Sequence, residues 1–245
     1  MAFPTTHWSR LAKATLHGEP EARAALEGLC RAYWRPVNEF IRWRSVTRGD
    51  AEDLTQEFML HIIEKSLFKR ADRLRGQFRS FLLGALVRFL SDATDRRNAT
   101  KRGGAAQHVS LERSELPPPS DDVSLSGPGA VLFDREWALT LLETALERLR
   151  TQYAEAGRAG DFASLKDFLP GGVADSSYAT AAQRIGLSIP ALKSEVHRLR
   201  GRLRQIIRTE VSRTVSAPHE VEMEIAHLGE VLMDKGSEFG PRSET

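Results

Sequence analysis

The chain has 245 residues, 41% of them hydrophobic and 28% charged, so it is long and apolar enough to bury a core. A single cysteine, Cys30, excludes an internal disulfide framework and a cysteine-based zinc site. Leucine, alanine, arginine and glutamate dominate, whereas valine, isoleucine and aromatic residues are sparse. This composition predicts an all-α fold.

Hydrophobic periodicity predicts three helices in the first half of the chain. The first begins near Pro20, and its apolar positions have helical spacing: Ala25, Leu26, Leu29, Tyr33, Val37, Phe40 and Ile41. A turn that ends in Asp50 as the N-cap leads into a second helix, which runs to about Lys65. The third helix is predicted from Phe78 to about Arg97.

A stretch rich in glycine, serine and proline, with three consecutive prolines, then interrupts the periodicity. We interpret residues 113–130 as a linker between a first domain, 1–112, and a second domain, 131–213. Residues 214–245 form a C-terminal extension. Its apolar spacing predicts one more amphipathic helix, at about 218–233, with an acidic outer face.

The net charge of +2 conceals three blocks of opposite sign. Residues 65–102 contain eleven Lys and Arg against three Asp, and residues 190–213 contain seven basic against two acidic residues. Residues 214–245 reverse the sign, with seven acidic and two basic residues. The two basic blocks are typical of surfaces that follow a phosphate backbone.

Residues 178–204 have the pattern of a helix-turn-helix. Gly186 permits the positive φ of a tight turn, Ser188 caps the second helix, and Pro190 is tolerated in its first turn. The second helix is predicted to read DNA through Ser188, Ala191, Lys193, Ser194, His197, Arg198, Arg200 and Arg202. An ordinary helical hairpin with a solvated basic face remains the alternative.

The segment 50–58, Asp-Ala-Glu-Asp-Leu-Thr-Gln-Glu-Phe, resembles the Asp-Ala-Glu-Asp-Leu-x-Gln-Glu signature of region 2 of bacterial RNA polymerase sigma factors. Residues 78–102 are similar to the part of region 2 that recognises and melts the promoter, and residues 178–204 are similar to region 4. Order, sizes and linker resemble those of extracytoplasmic-function sigma factors over roughly residues 20–213. The resemblance implies two helical domains joined by a flexible linker.

The resemblance also implies roles for individual residues. Asp50, Asp53, Gln56 and Glu57 match the helix that docks on the clamp helices of the polymerase β′ subunit. The minus-ten element is expected to meet Phe78, Arg79, Arg88, Arg96, Arg97, Lys101 and Arg102. Phenylalanines at helical spacing equally fit a hydrophobic core. The family usually has Asn at the position of Arg88, and often Trp at that of Phe81, so the minus-ten preference stays open.

The implied partners are core RNA polymerase, through its β′ clamp helices and β flap, and promoter DNA; an anti-sigma factor or another regulator is a further candidate. We expect a cytoplasmic protein with no membrane partner, because the chain lacks a signal-peptide pattern and a long apolar run. Neither a cofactor nor a metal is expected, and no catalytic activity.

Two other classes of protein compete with this interpretation. For an enzyme, Asp53, Glu57 and His61 share a helix face and could ligate a metal, but no second helix offers a matching pair. A helix-turn-helix regulator that is not a polymerase subunit would explain 178–204 but not the acidic string. For the extension, packing on the second domain, autoinhibition and binding of a regulator all remain open.

Overall fold

The computed structural model describes residues 20–44, 48–65, 78–101, 127–170, 172, 177–215 and 217–233, and this part of the chain is helical without a strand. The all-α prediction is thereby confirmed for these residues. The helices are α1 (Pro20–Trp43), α2 (Arg48–Glu64), α3 (Phe78–Lys101), α4 (Pro128–Glu155), α5 (Ala159–Leu165), α6 (Tyr178–Ile185), α7 (Ile189–Val211) and α8 (Glu220–Met233), with a 3-10 turn at Lys166–Phe168. None of them is long and apolar enough to cross a membrane.

The chain divides into two compact units. The first unit comprises the described residues of Met1–Ala138 together with those of Ser212–Thr245, and the second comprises Leu139–Val211. The C-terminal extension, predicted as a segment of its own, thus groups with the N-terminal residues. Most of the predicted linker, 113–126, lies outside the described residues, and its last three residues belong to α4.

The first unit is built around apolar side chains that recur every three or four residues along its helices. On α1 the residues from Leu29 to Ile41 that were predicted to face inward are buried. Aromatic rings join the helices: the Tyr33 and Phe78 centroids lie 5.3 Å apart, and those of Phe58 and Phe89 lie 5.5 Å apart. Burial of each such ring contributes about 1.5–3 kcal/mol.

The start of α2 differs from the sequence-based prediction. The helix begins at Arg48, so Asp50 lies inside the first turn and is not the N-cap. Its carboxylate still lies near the positive end of the helix dipole, where a negative charge is favoured. A hydrogen bond of 3.1 Å from the Asn38 side chain to the Thr55 hydroxyl then connects α1 to α2.

The second unit has a separate core, formed by the second half of α4 and by α5, α6 and α7. Its buried residues are Ala145, Leu149, Tyr153, Phe162, Leu165, Phe168, Leu169, Ala181, Ala182, Leu192, Val196, Leu199 and Leu203. The inward positions predicted for the second helix of the helix-turn-helix, Leu192, Val196 and Leu199, all belong to it. The core fixes which face of α7 remains outside.

Candidate nucleic-acid interface

The turn between α6 and α7 has the backbone geometry that its sequence predicts. The Ser177 hydroxyl caps α6 by accepting from the Thr180 amide. Gly186 ends that helix in the left-handed region, with φ 74° and ψ 32°. The Leu187 amide then donates to the Ala182 carbonyl over 2.9 Å, which satisfies a carbonyl that the helix end leaves free. The positive φ predicted for Gly186 is confirmed.

The first turn of α7 is capped as predicted. The Ser188 hydroxyl accepts from the Ala191 amide over 3.4 Å, and the Ser188 carbonyl accepts from the Leu192 amide over 2.9 Å. Pro190 lies in this first turn, where its missing N–H has no helical partner to lose. Consequently α7 starts abruptly after a tight turn, and its N-terminal end is exposed.

The polar face of α7 carries the residues that were predicted to bind DNA. Those at the surface are Ser188, Lys193, Ser194, His197, Arg198, Arg200 and Arg202, whereas Ala191 is half-buried. They point away from the inward stripe that ends in Leu203 or lie at its margin. One helix therefore presents hydroxyl, imidazole and guanidinium groups together, the chemistry that base edges and phosphates require.

Glu195 of this helix is buried, which sequence reasoning did not predict. Its carboxylate accepts from Arg158 over 2.6 Å and from the Nε of Arg198 over 2.8 Å. Burial by itself raises the pKa of Glu195, but the hydrogen bonds from the two arginines outweigh it and hold this pKa below its ordinary value. Arg198 remains 60% exposed, so its guanidinium is oriented by Glu195 and still reaches solvent.

Other basic side chains of α7 also have partners within the second unit. Arg200 donates from Nε and Nη2 to the Phe168 carbonyl, over 3.0 and 2.8 Å. The Arg202 guanidinium lies 5.5 Å from the centre of the Tyr153 ring, and the Lys193 ammonium lies 5.8 Å from that of Tyr178. These contacts restrict the conformations of the three side chains. The sequence spacing gave no signal of them.

The residues of α3 predicted to face the minus-ten element are placed very differently. Phe78 is only 3% exposed and Arg79 only 9%. The Phe78 ring packs edge-on against Tyr33, and its amide donates to the Thr214 carbonyl over 3.3 Å. The sequence left open whether Phe78 faces DNA or belongs to the hydrophobic core, and in the structure it belongs to the core. Phe81 is half-buried.

Arg79 is the centre of a buried ionic network in the first unit. Its Nε donates to Glu224 over 2.6 Å, and its Nη1 lies 2.5 Å from Asp134. His227 in turn lies 2.9 Å from Asp134. Burial alone lowers the pKa of Arg79, but hydrogen bonds to Glu224 and Asp134 reverse the effect and raise it. In this conformation neither Phe78 nor Arg79 is accessible to DNA.

The remaining basic residues of the predicted minus-ten surface follow further along α3. Arg88 is half-buried, and Arg96 is exposed, with its Nε donating to the Asp92 carbonyl over 3.3 Å. Arg97 and Lys101 belong to the helix, but their side chains lie outside the description, as does the whole of Arg102. The assignment of these residues to DNA stays a prediction.

The acidic string lies on one exposed face of α2. Asp50, Asp53, Gln56 and Glu57 all reach the surface, whereas Phe58 on the opposite side is fully buried. Leu60, one turn beyond, continues this face and is 50% exposed. We call Asp50, Asp53, Gln56, Glu57 and Leu60 the acidic ridge. Its leucine was missed in the sequence, where it reads as one more core position.

The metal site weighed from the sequence is not assembled along α2. His61 is half-buried with its ring 5.6 Å from Phe89, whereas Asp53 and Glu57 face solvent. Burial lowers the pKa of His61, and the charge of Lys65 lowers it further. Within the described ranges, no three His, Cys, Asp or Glu side chains are grouped so that they could hold a metal ion.

Comparison of the chain with protein-family models, with curated proteins and with solved structures finds no match. Function is therefore inferred from the residues and their geometry.

Proposed function

We propose that this chain is a sigma factor, which binds core RNA polymerase and directs promoter recognition and DNA melting at the start of transcription. The observation that carries the proposal is the acidic ridge: carboxylates, an amide and a leucine are exposed together on one face of α2. The same helix packs in the core through its opposite face, so the ridge lies on its solvent side. The chain itself catalyses nothing and lends specificity to the polymerase.

The chemistry of the ridge favours a basic helical partner such as the β′ clamp helices. Asp53 and Glu57 are four residues apart and Leu60 follows three residues later, so all three lie on adjacent turns. Carboxylates at a rim steer a basic partner and fix its orientation, while the leucine beside them adds apolar burial. The interaction is accordingly expected to weaken as salt is added.

The helix-turn-helix supports a second part of the proposal, recognition of the upstream promoter duplex in contact with the β flap. Ser194 and His197 lie in the first half of α7, nearest to base edges in the usual docking geometry. Arg198, Arg200 and Arg202 follow towards the phosphates, each already oriented by a partner of its own chain. Preorganised side chains lose less entropy when they bind.

A polymerase-binding assay tests the proposal directly. The double variant Asp53→Lys with Glu57→Lys reverses two charges of the ridge, and it should reduce retention of the chain on immobilised core polymerase by at least about tenfold, since like charges across an interface cost several kcal/mol. The matched control is Glu155→Lys with Glu230→Lys, two exposed acids outside the ridge, which change the net charge equally. Failure of the wild-type chain to bind, or equal binding by both double variants, contradicts the proposal.

One observation favours a second candidate, a regulator that binds duplex DNA without being a polymerase subunit. The helix-turn-helix is fully formed, whereas Phe78 and Arg79 of the predicted melting surface are buried. Such a regulator would bind duplex DNA unchanged by core polymerase. It would support neither strand separation nor run-off transcripts, which distinguishes the two candidates.

A further inference from the structure

We propose that α8 is a releasable clasp, which covers the N-terminal end of α3 and keeps Arg79 from nucleic acid until the helix is displaced. This inference rests on the proposed function insofar as α3 is taken to face DNA. It concerns the first unit alone, to which α3, α8 and Asp134 all belong.

The inward face of α8 carries a buried carboxylate among its apolar side chains. Val221 and Leu228 are buried as the periodicity predicts, whereas Ile225 and Leu232 of the same predicted stripe are half-buried. Val231 is buried as well, and Glu224 lies on this face with 1% exposure. The other acids of the helix include Glu222 and Glu230, which are exposed. The acids of α8 were predicted on its outer face, but one of them, Glu224, is buried. This buried acid is the one that contacts Arg79.

The geometry of the contact resembles the way arginine binds a phosphate. Arg79 donates from Nε to one oxygen of Glu224 over 2.6 Å and from Nη2 to the other over 3.3 Å. Fork-to-fork pairing of this kind is also what a guanidinium makes with phosphate. Glu224, with Asp134 on the other side, therefore occupies the donors that a nucleic-acid backbone would need.

The segment that leads into α8 covers the end of α3 as well. The Thr214 carbonyl accepts from the Phe78 amide, one of the first N–H groups of α3 that no helical carbonyl satisfies. Val215 next to it is fully buried. Residues 214–215 and α8 thus contact the backbone, the guanidinium and the apolar surface at the start of α3.

A contact held by buried charge is suited to release. Exchange of a buried ion pair for apolar residues is often neutral or stabilising, so the Arg79–Glu224 pair supplies specificity of docking more than strength. The helix also has its own start signal, because the Glu220 carboxylate accepts from the Ala217 amide over 3.1 Å. A competing anion that binds Arg79 removes the docking partner of Glu224 and leaves a short apolar stripe and the His227–Asp134 contact to hold α8.

The test uses the full-length chain and a fluorescent single-stranded oligonucleotide, with binding followed by anisotropy. Glu224→Gln keeps the shape of the side chain and removes its charge, and it should tighten binding at least about fivefold, a usual size for coupling of this kind. Glu230→Gln is the matched control, because it removes the same charge from an exposed position of the same helix. Arg79→Met added to Glu224→Gln should abolish the gain.

Equal affinities for Glu224→Gln and Glu230→Gln overturn the proposal, and so does a gain that persists when Arg79 is replaced by Met. Hydrogen exchange of the wild-type chain provides a measurement that needs no variant to fold. Saturating oligonucleotide should accelerate exchange of the amides of 221–233, and unchanged protection overturns the clasp.

The polymerase pull-down separates this inference from the function on which it rests. Binding of core polymerase with no gain from Glu224→Gln means that the clasp is wrong and the sigma function stands. A gain from Glu224→Gln without polymerase binding means that the clasp stands as a control of nucleic-acid binding, and the sigma function is wrong.

Discussion

Replacement of Gly186 by alanine tests the turn of the helix-turn-helix. At φ 74° an L-residue is destabilised by about 1–2 kcal/mol. A Cβ added at this position meets nothing within 4 Å, so no clash adds to that cost. Alanine also reduces the freedom of the unfolded chain, which offsets about 0.4–1 kcal/mol. The expected net loss of unfolding free energy is therefore about 1 kcal/mol.

Gly201 supplies a matched control within α7. A Cβ there also meets nothing within 4 Å, but the residue has helical backbone and no positive φ. Gly201→Ala should raise the unfolding free energy by about 0.8–1 kcal/mol. Since the unfolded-chain contribution is the same for both substitutions, their difference of about 2 kcal/mol depends on the native backbone alone.

Thermal unfolding of the full chain, combined with hydrogen exchange of the amides of 178–211, measures both effects. A change of 1 kcal/mol shifts Tm by about 4–8 °C in a unit of 60–100 residues. Gly186→Ala should therefore unfold earlier than the wild type and Gly201→Ala later. A Gly186→Ala variant as stable as the wild type, or an equal drop in Tm for both substitutions, would show that the positive φ of Gly186 carries no such cost.

Two further predictions concern the charged residues of the second unit. Because the pKa of Glu195 is lowered in the folded state, its carboxylate stabilises the fold above the unfolded pKa of about 4.3. That stability is lost as the pH falls through the folded pKa. Urea unfolding at pH 7 and pH 3 should therefore show a larger loss of unfolding free energy at pH 3 for the wild type than for Glu195→Gln. Arg200→Ala should lower the unfolding free energy by about 1.5 kcal/mol through loss of the bond to the Phe168 carbonyl. Arg204→Ala removes an exposed arginine of the same helix and should be near neutral.

Each of these has a clear contrary outcome. If the unfolding free energy falls equally from pH 7 to pH 3 in the wild type and in Glu195→Gln, the two arginines do not hold the carboxylate in its charged form. Equal unfolding free energies for the Arg200 and Arg204 variants would mean that the carbonyl contact contributes nothing. Affinities for duplex DNA distinguish the two variants a second time. Arg200→Ala and Arg204→Ala each lose one charge, but only Arg200→Ala also loses a preorganised contact.

Local features of this fold could be predicted from the sequence because local physics determines them. The spacing of apolar residues identifies the inward faces of α1 and α7, and the cap at Ser188 and the left-handed Gly186 depend on neighbouring residues only. The predicted start of α2 was wrong by three residues, since an N-cap at Asp50 implies a first helical residue at Ala51 and the helix begins at Arg48. Helix ends are harder to predict because several neighbouring residues can begin a helix at similar cost.

The partners of charged residues could not be predicted, because they join positions far apart in the chain. Arg79 meets Glu224 across 145 residues, and Glu195 meets Arg158 across 37. A polar residue in a basic or acidic stretch is expected at the surface unless its partner is known. Periodicity reports which face is buried, but the identity of a buried ion pair depends on how distant helices pack.

The most direct test of the sigma function is run-off transcription with core RNA polymerase on DNA fragments selected by the reconstituted holoenzyme. We predict defined transcripts that require the wild-type chain, that are lost with the Asp53→Lys and Glu57→Lys double variant, and that persist with the Glu155→Lys and Glu230→Lys control. Absence of chain-dependent transcripts, or the same transcripts from the ridge variant, would contradict the account.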